Sequence, residues 1–509
     1  MKLLQDILRE IASKHGYLVA FDSVDGQITF NQLYERIGYL AGALEDLSVK
    51  KGDRVAILAQ NCIDYVAYHY ATAIIGAILL PLNIRHTDDE MLWVLNNAES
   101  SILIIDERCK SHLPELKSKC DSIKVTIGIG STEGTDCLTN DLVDAKVSIA
   151  NIPSISSKDP ILLIYTSGTT GKPKGALQNH EGICMVDELT AEEWKATEKD
   201  VYLAFLPYFH QAGLLRTRAT MIRGGKNIVY GKMDAETLAW LMVEKKVSIV
   251  ILPSAYYRLL SEIADRDNLT FPSLRLLIGL GGTGPIQTDQ IKAFCDRFNC
   301  RFRGVYGQTE SSGPATCIMG DDCFNNPFTC GKARKGIELE IWDDNNNLVP
   351  RGIVGEIMIR GKMTIPGYWK NDRASKALYT EDWLHTGDFG RIDEEGFLYF
   401  VDRKKELIKT GGENVYPREV INVLQEHPAI SDLTIIGLPD PNQWGEVVTA
   451  VVMLKPGEHL SIDEVKAFCK NKIAGYKIPK VLKVVEEIPR NITGKVKKVE
   501  LREKFAREI

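Results

Sequence analysis

Short apolar runs alternate along most of the chain with stretches whose apolar positions recur at helical spacing. That is the layering of an α/β protein, not of a solenoid or an all-β fold. The runs at 54–59, 101–105, 247–252 and 275–280 read as strands, and their continuous apolar character fits parallel strands buried on both faces. Helical spacing fills intervals such as 64–78. Leu3, Leu4, Ile7, Leu8 and Ile11 fall on one helical face, but Asp6, Arg9 and Glu10 interrupt any apolar signal-peptide core. The longest apolar run, 71–81, falls well short of the roughly 20 residues that span a bilayer. It reads as a buried helix or strand, and no integral membrane segment is expected.

After about residue 330 the pattern changes to strand candidates at 338–342 and 355–360 with a turn cluster at 343–347, a meander-like, β-barrel-like region. A dense charged stretch, Asp402-Arg403-Lys404-Lys405-Glu406, is followed by Gly411-Gly412. The remaining residues carry their own pattern: Pro417 at a helix start, a strand at 447–454, and Ser461 with Glu464 three positions on as a capping box. The expected fold class is therefore α/β, with a large N-terminal domain, 1–401, of layered α/β subdomains and a small α+β C-terminal domain, 402–509.

Composition narrows the function classes. A chain of 509 residues is too long for one compact core. A net charge of −6 gives no electrostatic reason to expect nucleic acid or an anionic membrane as the main partner. Eleven scattered cysteines without a C-x-x-C pair read as free thiols of a reducing, cytoplasmic compartment. Cys317, Cys323 and Cys330 are widely spaced with no histidine nearby, so a metal reading of that cluster is set aside.

The most informative segment is Tyr165-Thr166-Ser167-Gly168-Thr169-Thr170-Gly171-Lys172-Pro173-Lys174-Gly175, directly after the apolar strand 161–164. Glycines and hydroxyls in that density let backbone N–H and side-chain O–H groups converge on phosphate, and the lysines add charge. It is not a Walker loop: two residues separate Gly168 from Gly171, and Pro173 stands where a magnesium-binding Ser or Thr is required. A solvated loop is the plain alternative. Against it, the strand upstream fixes the loop at a strand's C-terminal edge, where α/β proteins bind ligands.

This loop resembles the signature of the adenylate-forming superfamily, acyl-CoA synthetases among them. Further matches follow in that family's order: Leu206-Pro207-Tyr208-Phe209-His210, Gly281-Gly282-Thr283-Gly284-Pro285, Tyr306-Gly307-Gln308-Thr309-Glu310, Gly355-Glu356-Ile357, Thr386-Gly387-Asp388, Asp402-Arg403-Lys404-Lys405 and Pro489-Arg490-Asn491-Ile492-Thr493-Gly494-Lys495. The resemblance implies an ATP-dependent, AMP-forming carboxylic acid:CoA ligase, with ATP, Mg2+ and CoA. Alternatives are acyl transfer to a carrier protein, or a non-catalytic nucleotide or acyl sensor that would be expected to have lost Lys495 or Glu310.

By resemblance, Thr166, Ser167, Gly168, Thr169, Thr170 and Lys174 hold the phosphates, and Glu310 with Thr166 holds Mg2+. Tyr306 stacks on adenine against the backbone of Gly282, Thr283 and Gly284; Gly307 and Thr309 complete that wall, and Asp388 with Arg403 takes the ribose. Catalysis is assigned to Lys495, His210 and Glu310, with Lys495 neutralising the two reacting anions. Many relatives have alanines where Thr283 and Gly284 stand, which leaves the shape of the acyl pocket open. The acyl pocket is read at His210, Gln211, Gly213, Tyr256, Thr283, Gly307 and Ser311, and CoA contacts at Lys409, Gly411 and Gly412. Asp402 is the expected hinge of a mobile C-terminal domain. Arg216 and Arg218 follow the pocket residues and would suit a second carboxylate, although arginines near a helix are more often exposed; a monocarboxylate is the leading expectation, with a homodimer left open as the assembly.

Overall fold

The structure, a computed structural model, describes residues 2–166, 173–230, 234–253, 255–280, 285–326, 328–403, 406–410, 413–439, 445–490 and 496–506. The chain divides into two compact units, one of Met1–Leu339 with Ile359–His385 and the other of Glu340–Met358 with Thr386–Ile509.

The larger unit holds two sheets. One orders its strands Cys137–Leu138, Val125–Ile129, Ile102–Asp106, Arg54–Leu58, Ile78–Pro81, Pro160–Thr166 and Lys174–Asn179. Its ladders are parallel up to the final antiparallel pair. Burial on both faces is explicit in the side-chain alternation: Val55, Ile57, Ile102 and Ile104 join one apolar cluster, while Ala56, Leu58, Leu103 and Ile105 join another. The helices Phe30–Asp46 and Ile63–Ile74 cover the first face; Asp88–Ala98 and Leu113–Lys119 cover the second.

The second sheet carries Lys226–Val229, Val201–Leu203, Ile249–Ile251, Leu276–Leu280 and Arg301–Gln308 in parallel. Gly313–Met319 and Thr329–Ala333 then continue it antiparallel. The first cluster reaches from Val55 and Ile57 to Tyr202, Ile249 and Ile278, so one core is shared by the facing sides of both sheets. The helices His180–Glu193 and Gln211–Met221 lie in that interior. Every residue of Gln211–Met221 except Ala212 is buried. This is why the second helix shows no amphipathic stripe.

One sequence expectation changes. The helical stretch expected over 64–78 ends as the helix Ile63–Ile74, and the apolar run continues into the strand Ile78–Pro81. Gly76 separates them at φ +72°, the left-handed conformation that ends helices and that other residues adopt at a cost. An unbroken apolar run conceals that boundary.

In the smaller unit, Trp383–Ile392 pairs antiparallel with Leu398–Arg403 from residue 388 on. Ile430–Pro439, Glu446–Leu454 and Val481–Val484 form a separate sheet. The helices Pro417–Leu424 and Ile462–Cys469 pack on it through Val420, Leu424, Val465 and Cys469. Pro417 opens its helix, and the Ser461–Glu464 capping box is formed.

Candidate active site

Thr166 closes the strand Pro160–Thr166 and Lys174 opens Lys174–Asn179, and the two residues face each other across the ladder. Thr166 Oγ1 lies 3.5 Å from Glu310 Oε1, and the Tyr368 hydroxyl donates to the same oxygen at 2.9 Å. Lys174 Nζ stands 5.2 Å from the centre of the Tyr368 ring. Burial, then the adjacent Glu310 carboxylate, pushes the Tyr368 hydroxyl well above its ordinary range, so it stays a donor. Glu310 is buried in the short turn Thr309–Ser311. The turn is held on both sides: Gln178 Nε2 donates to Thr309 O at 2.9 Å, and Ile365 N donates to Glu310 O at 2.9 Å.

The strand before that turn has a defined irregularity. Its register with Gly313–Met319 shifts between Tyr306 and Gly307. A Cβ at Gly307 would lie 2.3 Å from Gly313 O, so only glycine permits this close approach. Ser311 spends its hydroxyl on the turn itself, donating to Gln308 O and Gly313 O at 3.0 and 2.7 Å and accepting from Gln308 N. That makes it a fastener of the turn, whereas the neighbouring Ser312 is buried with an Oγ that has no hydrogen-bond partner among the described residues.

His210 caps the helix Gln211–Met221, packed at 4.6 Å between ring centroids against Phe209. Gln211 Nε2 donates to Ser312 O at 2.6 Å, which joins the start of this helix to the turn after Glu310. The motif leading into it is clasped by Asn61, whose amide donates to Ala204 O and Leu206 O and accepts from Tyr208 N. Tyr256 meets Phe205 edge-on at 5.1 Å. His210, Gln211, Gly213, Gly307 and Ser311 are thus brought to one place through the Gln211–Ser312 bond.

Arg216 and Arg218, expected to be exposed, are both buried. Arg218 forms a bidentate pair with Asp187, Nε on Oδ2 at 2.6 Å and Nη2 on Oδ1 at 3.0 Å. Asn61, Tyr368 and Asp187 carry no motif, and a lone residue far from its partner in sequence leaves no local signal. The helix between the sheets explains the arginines: no face of it reaches solvent.

In the smaller unit, Asp388 and Arg403 are cross-strand partners with Arg403 Nε 3.4 Å from Asp388 Oδ1. Asp402 is buried and accepts from Arg403 N at 2.8 Å and from Arg418 N, in the first turn of Pro417–Leu424, at 2.9 Å. Burial raises its carboxyl above the usual range, against the opposing pull of Lys498 and these two amides. Lys409 N donates to Glu446 at 3.1 Å. Ser167, Gly168, Thr169, Thr170, Gly282, Thr283, Gly284, Gly411, Gly412 and Lys495 lie outside the described residues.

The sequence profile described as AMP-binding enzyme matches residues 8–369, and that of the AMP-binding enzyme C-terminal domain matches 419–495. The chain belongs to the AMP-binding enzyme family. The resemblance read from the ordered motifs is borne out, as is the expected class: α/β, with a large N-terminal and a smaller C-terminal domain. Among curated members of the family, the long-chain-fatty-acid–CoA ligase FadD13 of Mycobacterium tuberculosis is 31% identical, covering 99% of each chain. The 2-succinylbenzoate–CoA ligase of Bacillus cytotoxicus is 31% identical over 95% of each. A solved member, the o-succinylbenzoate CoA synthetase MenE of Bacillus subtilis in complex with its acyl-adenylate intermediate, matches at a TM-score of 0.83 and 27% identity, covering 97% of each chain. No helix among the described residues is long and apolar enough to cross a membrane.

Proposed function

We propose that the Thr166, Lys174 and Glu310 cluster is the phosphate end of a site in which a carboxylate attacks the α-phosphate of ATP. The protein is an AMP-forming acid:CoA ligase, using ATP and CoA. The observation that carries the site reading is the buried Glu310 carboxylate, held by Tyr368 within reach of the Thr166 hydroxyl at the end of the strand Pro160–Thr166.

In the first step the acid oxygen bonds to the α-phosphorus as pyrophosphate leaves; in the second the CoA sulfur replaces AMP on the acyl carbon. Positioning and charge neutralisation dominate such phosphoryl chemistry. The donor set of Glu310 and Thr166 is all hard oxygen, which suits Mg2+. Bound there, the ion would neutralise phosphate charge. Lys174 and the hydroxyls of Ser167, Thr169 and Thr170 would hold the β- and γ-phosphates, beside the backbone of Gly168. Tyr306, Gly307, Thr309 and residues 282–284 would receive the adenine, and Asp388 with Arg403 the ribose. Lys495 would supply the cation between the reacting carboxylate and the α-phosphate.

His210, Gln211, Gly213, Tyr256, Thr283, Gly307 and Ser311 would border the acyl group, with His210 gating it or taking the thiol proton. In the second step Asp402 would act as the hinge between a body of 1–401 and a mobile 402–509, and Lys409, Gly411 and Gly412 would meet CoA. Eleven free cysteines favour a reducing cytoplasm, and a homodimer is the assembly to test by light scattering.

The test is an acid panel assayed for pyrophosphate release with and without CoA. Sustained turnover and a thioester product are expected only with CoA. Equal turnover without it would contradict thioester formation as the second step.

A further inference from the structure

Four buried arginines, Arg216 and Arg218 on the helix Gln211–Met221 with Arg303 and Arg334, are set against two carboxylates, Asp187 and Glu193. Asp187 is taken by Arg218, and Glu193 is shared by Arg303 and Arg334. Arg334 also donates to Pro314 O at 2.9 Å and Thr190 Oγ1 at 3.0 Å, and Arg303 Nε donates to Cys317 Sγ at 2.9 Å.

Arg216 is the one left over. It is 4% exposed; among the described residues its Nε has no hydrogen-bond partner and its Nη1 reaches only Ala212 O at 3.5 Å, the outer limit of a hydrogen bond. The Tyr202 hydroxyl, whose charge acts on Arg216, is buried and also has no hydrogen-bond partner among the described residues. Burial pushes Arg216 down to about 10, with Arg334 pushing the same way and Tyr202 and Asp187 opposing. It therefore remains a cation at neutral pH. Asp187 is already paired with Arg218, so Arg216 is a buried cation with no ion pair of its own, a costly state that an anion seated beside it would relieve.

The position of Arg216 relates it to the acyl pocket. Helical side chains lean toward the helix N-terminus. Here that end carries His210 and Gln211, and the contact of Arg216 with Ala212 O runs that way. Gln211 Oε1 and Ser312 Oγ, at the same end, are buried and have no hydrogen-bond partner among the described residues. From Gln211 to Arg216 the helix rises about 7.5 Å, five residues at roughly 1.5 Å each. Arg216 lies about 140° around the helix from Gln211 and shares its face with Ala212 and Gly213, four and three residues before it, so it is Gly213, not Gln211, that links it to the pocket wall.

We propose that Arg216, assisted by Tyr202, binds a second carboxylate at the far end of the acid, so that this ligase takes dicarboxylic acids and activates one end. The inference rests on reading His210 to Gly213 as the wall of the acyl pocket. A guanidinium presents paired donors that match a carboxylate bidentately and stays charged where a lysine would be neutralised by burial. The distal carboxylate undergoes no chemistry; it fixes depth and orientation.

The test pairs monocarboxylates with their ω-carboxy counterparts, from butyrate with succinate up to decanoate with sebacate, plus benzoate with terephthalate. Full-length wild type and Arg216→Met, Arg216→Lys and Tyr202→Phe are each assayed for pyrophosphate release and thioester formation. The best dicarboxylate is expected to exceed its monocarboxylate partner at least tenfold in kcat/KM for wild type. Arg216→Met collapses that ratio at least tenfold, Arg216→Lys loses it nearly as fully because burial neutralises the amine, and Tyr202→Phe shifts it severalfold in the same direction. Thermal melting separates misfolding from lost recognition, and Arg216→Met, which removes an unpaired buried charge, is expected to melt no lower than wild type. If monocarboxylates are turned over but their ω-carboxy counterparts are not, or the ratio is the same in Arg216→Met, the dicarboxylate proposal is overturned while the ligase stands. Absence of pyrophosphate release with any acid would overturn the pocket reading itself.

Discussion

Two buried ionisable side chains of the larger unit, Glu310 and Arg216, are held in opposite ways. Around Glu310 the protein supplies the partners: Tyr368 on the carboxylate, Gln178 on Thr309 O and Ile365 on the Glu310 carbonyl. Arg216 has no such support: among the described residues its Nε and the Tyr202 Oη are left without a hydrogen-bond partner. A group preset by the protein suits a ligand that never changes, as a triphosphate does for every acid the enzyme activates. Groups left open suit a ligand that brings its own hydrogen bonds, because an unmatched molecule then leaves buried donors and acceptors unpaired.

The largest expected effect breaks the preset side. Lys495→Ala should slow acyl-adenylate formation by about a thousandfold, the scale of losing a charge-stabilising group in phosphoryl chemistry. Transfer from supplied acyl-AMP to CoA should be largely retained. Rapid-quench assays of the two half-reactions check this, and equal loss of both in a folded variant would argue against a role confined to adenylation.

Next in size is a contrast between neighbouring arginines. Arg218→Met leaves Asp187 buried without its bidentate partner and should destabilise the protein by about 3–5 kcal/mol, whereas Arg216→Met should change stability little. Urea unfolding of both variants decides it; similar losses would mean that Arg216 is as well paired as Arg218.

A third region sharpens the comparison by pH. His180 Nδ1 accepts from Leu4 N at 3.1 Å, which anchors the first helix and requires the neutral ring. Burial, partly opposed by Asp159 and Asp6, lowers His180 from 6.5 to about 4. The unfolded chain therefore binds this proton first as pH falls. The associated stability is complete above pH 6.5, declines between 6.5 and about 4, and is constant below, a loss of about 3 kcal/mol. His180→Asn should flatten that part of the stability–pH curve; an unchanged curve would show that His180 is not the group responsible.

The smallest effect probes the support of Glu310. Tyr368→Phe removes one hydrogen bond to the buried Glu310 carboxyl, and should lower stability by about 1–2 kcal/mol and raise KM for ATP severalfold. Titrating Mg2+ against activity is the check, and an unaltered ATP dependence would remove Tyr368 from the site.

The same contrast explains what the sequence made legible. The strands at 54–59 and 101–105 and the glycine-rich segment after 161–164 were readable because each is a local pattern. So was the capping box at Ser461, which depends on residues three apart. Tyr368 and Asn61 were not, since each acts on a partner distant in sequence through a single contact. Arg216 and Arg218 pointed the wrong way: charge on a helix ordinarily means solvent, and only the sandwiching of Gln211–Met221 between two sheets reverses that inference. The turn at Gly76 was hidden inside an apolar run because glycine contributes nothing to a hydrophobic pattern while changing the backbone completely.

The central claim is that two chemical steps pass through a bound acyl-adenylate. Mixing enzyme in excess over radiolabelled acid with ATP, then adding CoA, tests it most directly. The account predicts enzyme-bound acyl-AMP with release of pyrophosphate before CoA, and its conversion to AMP and acyl-CoA afterwards. Formation of ADP and phosphate, or a thioester appearing without any preceding adenylate, would contradict it.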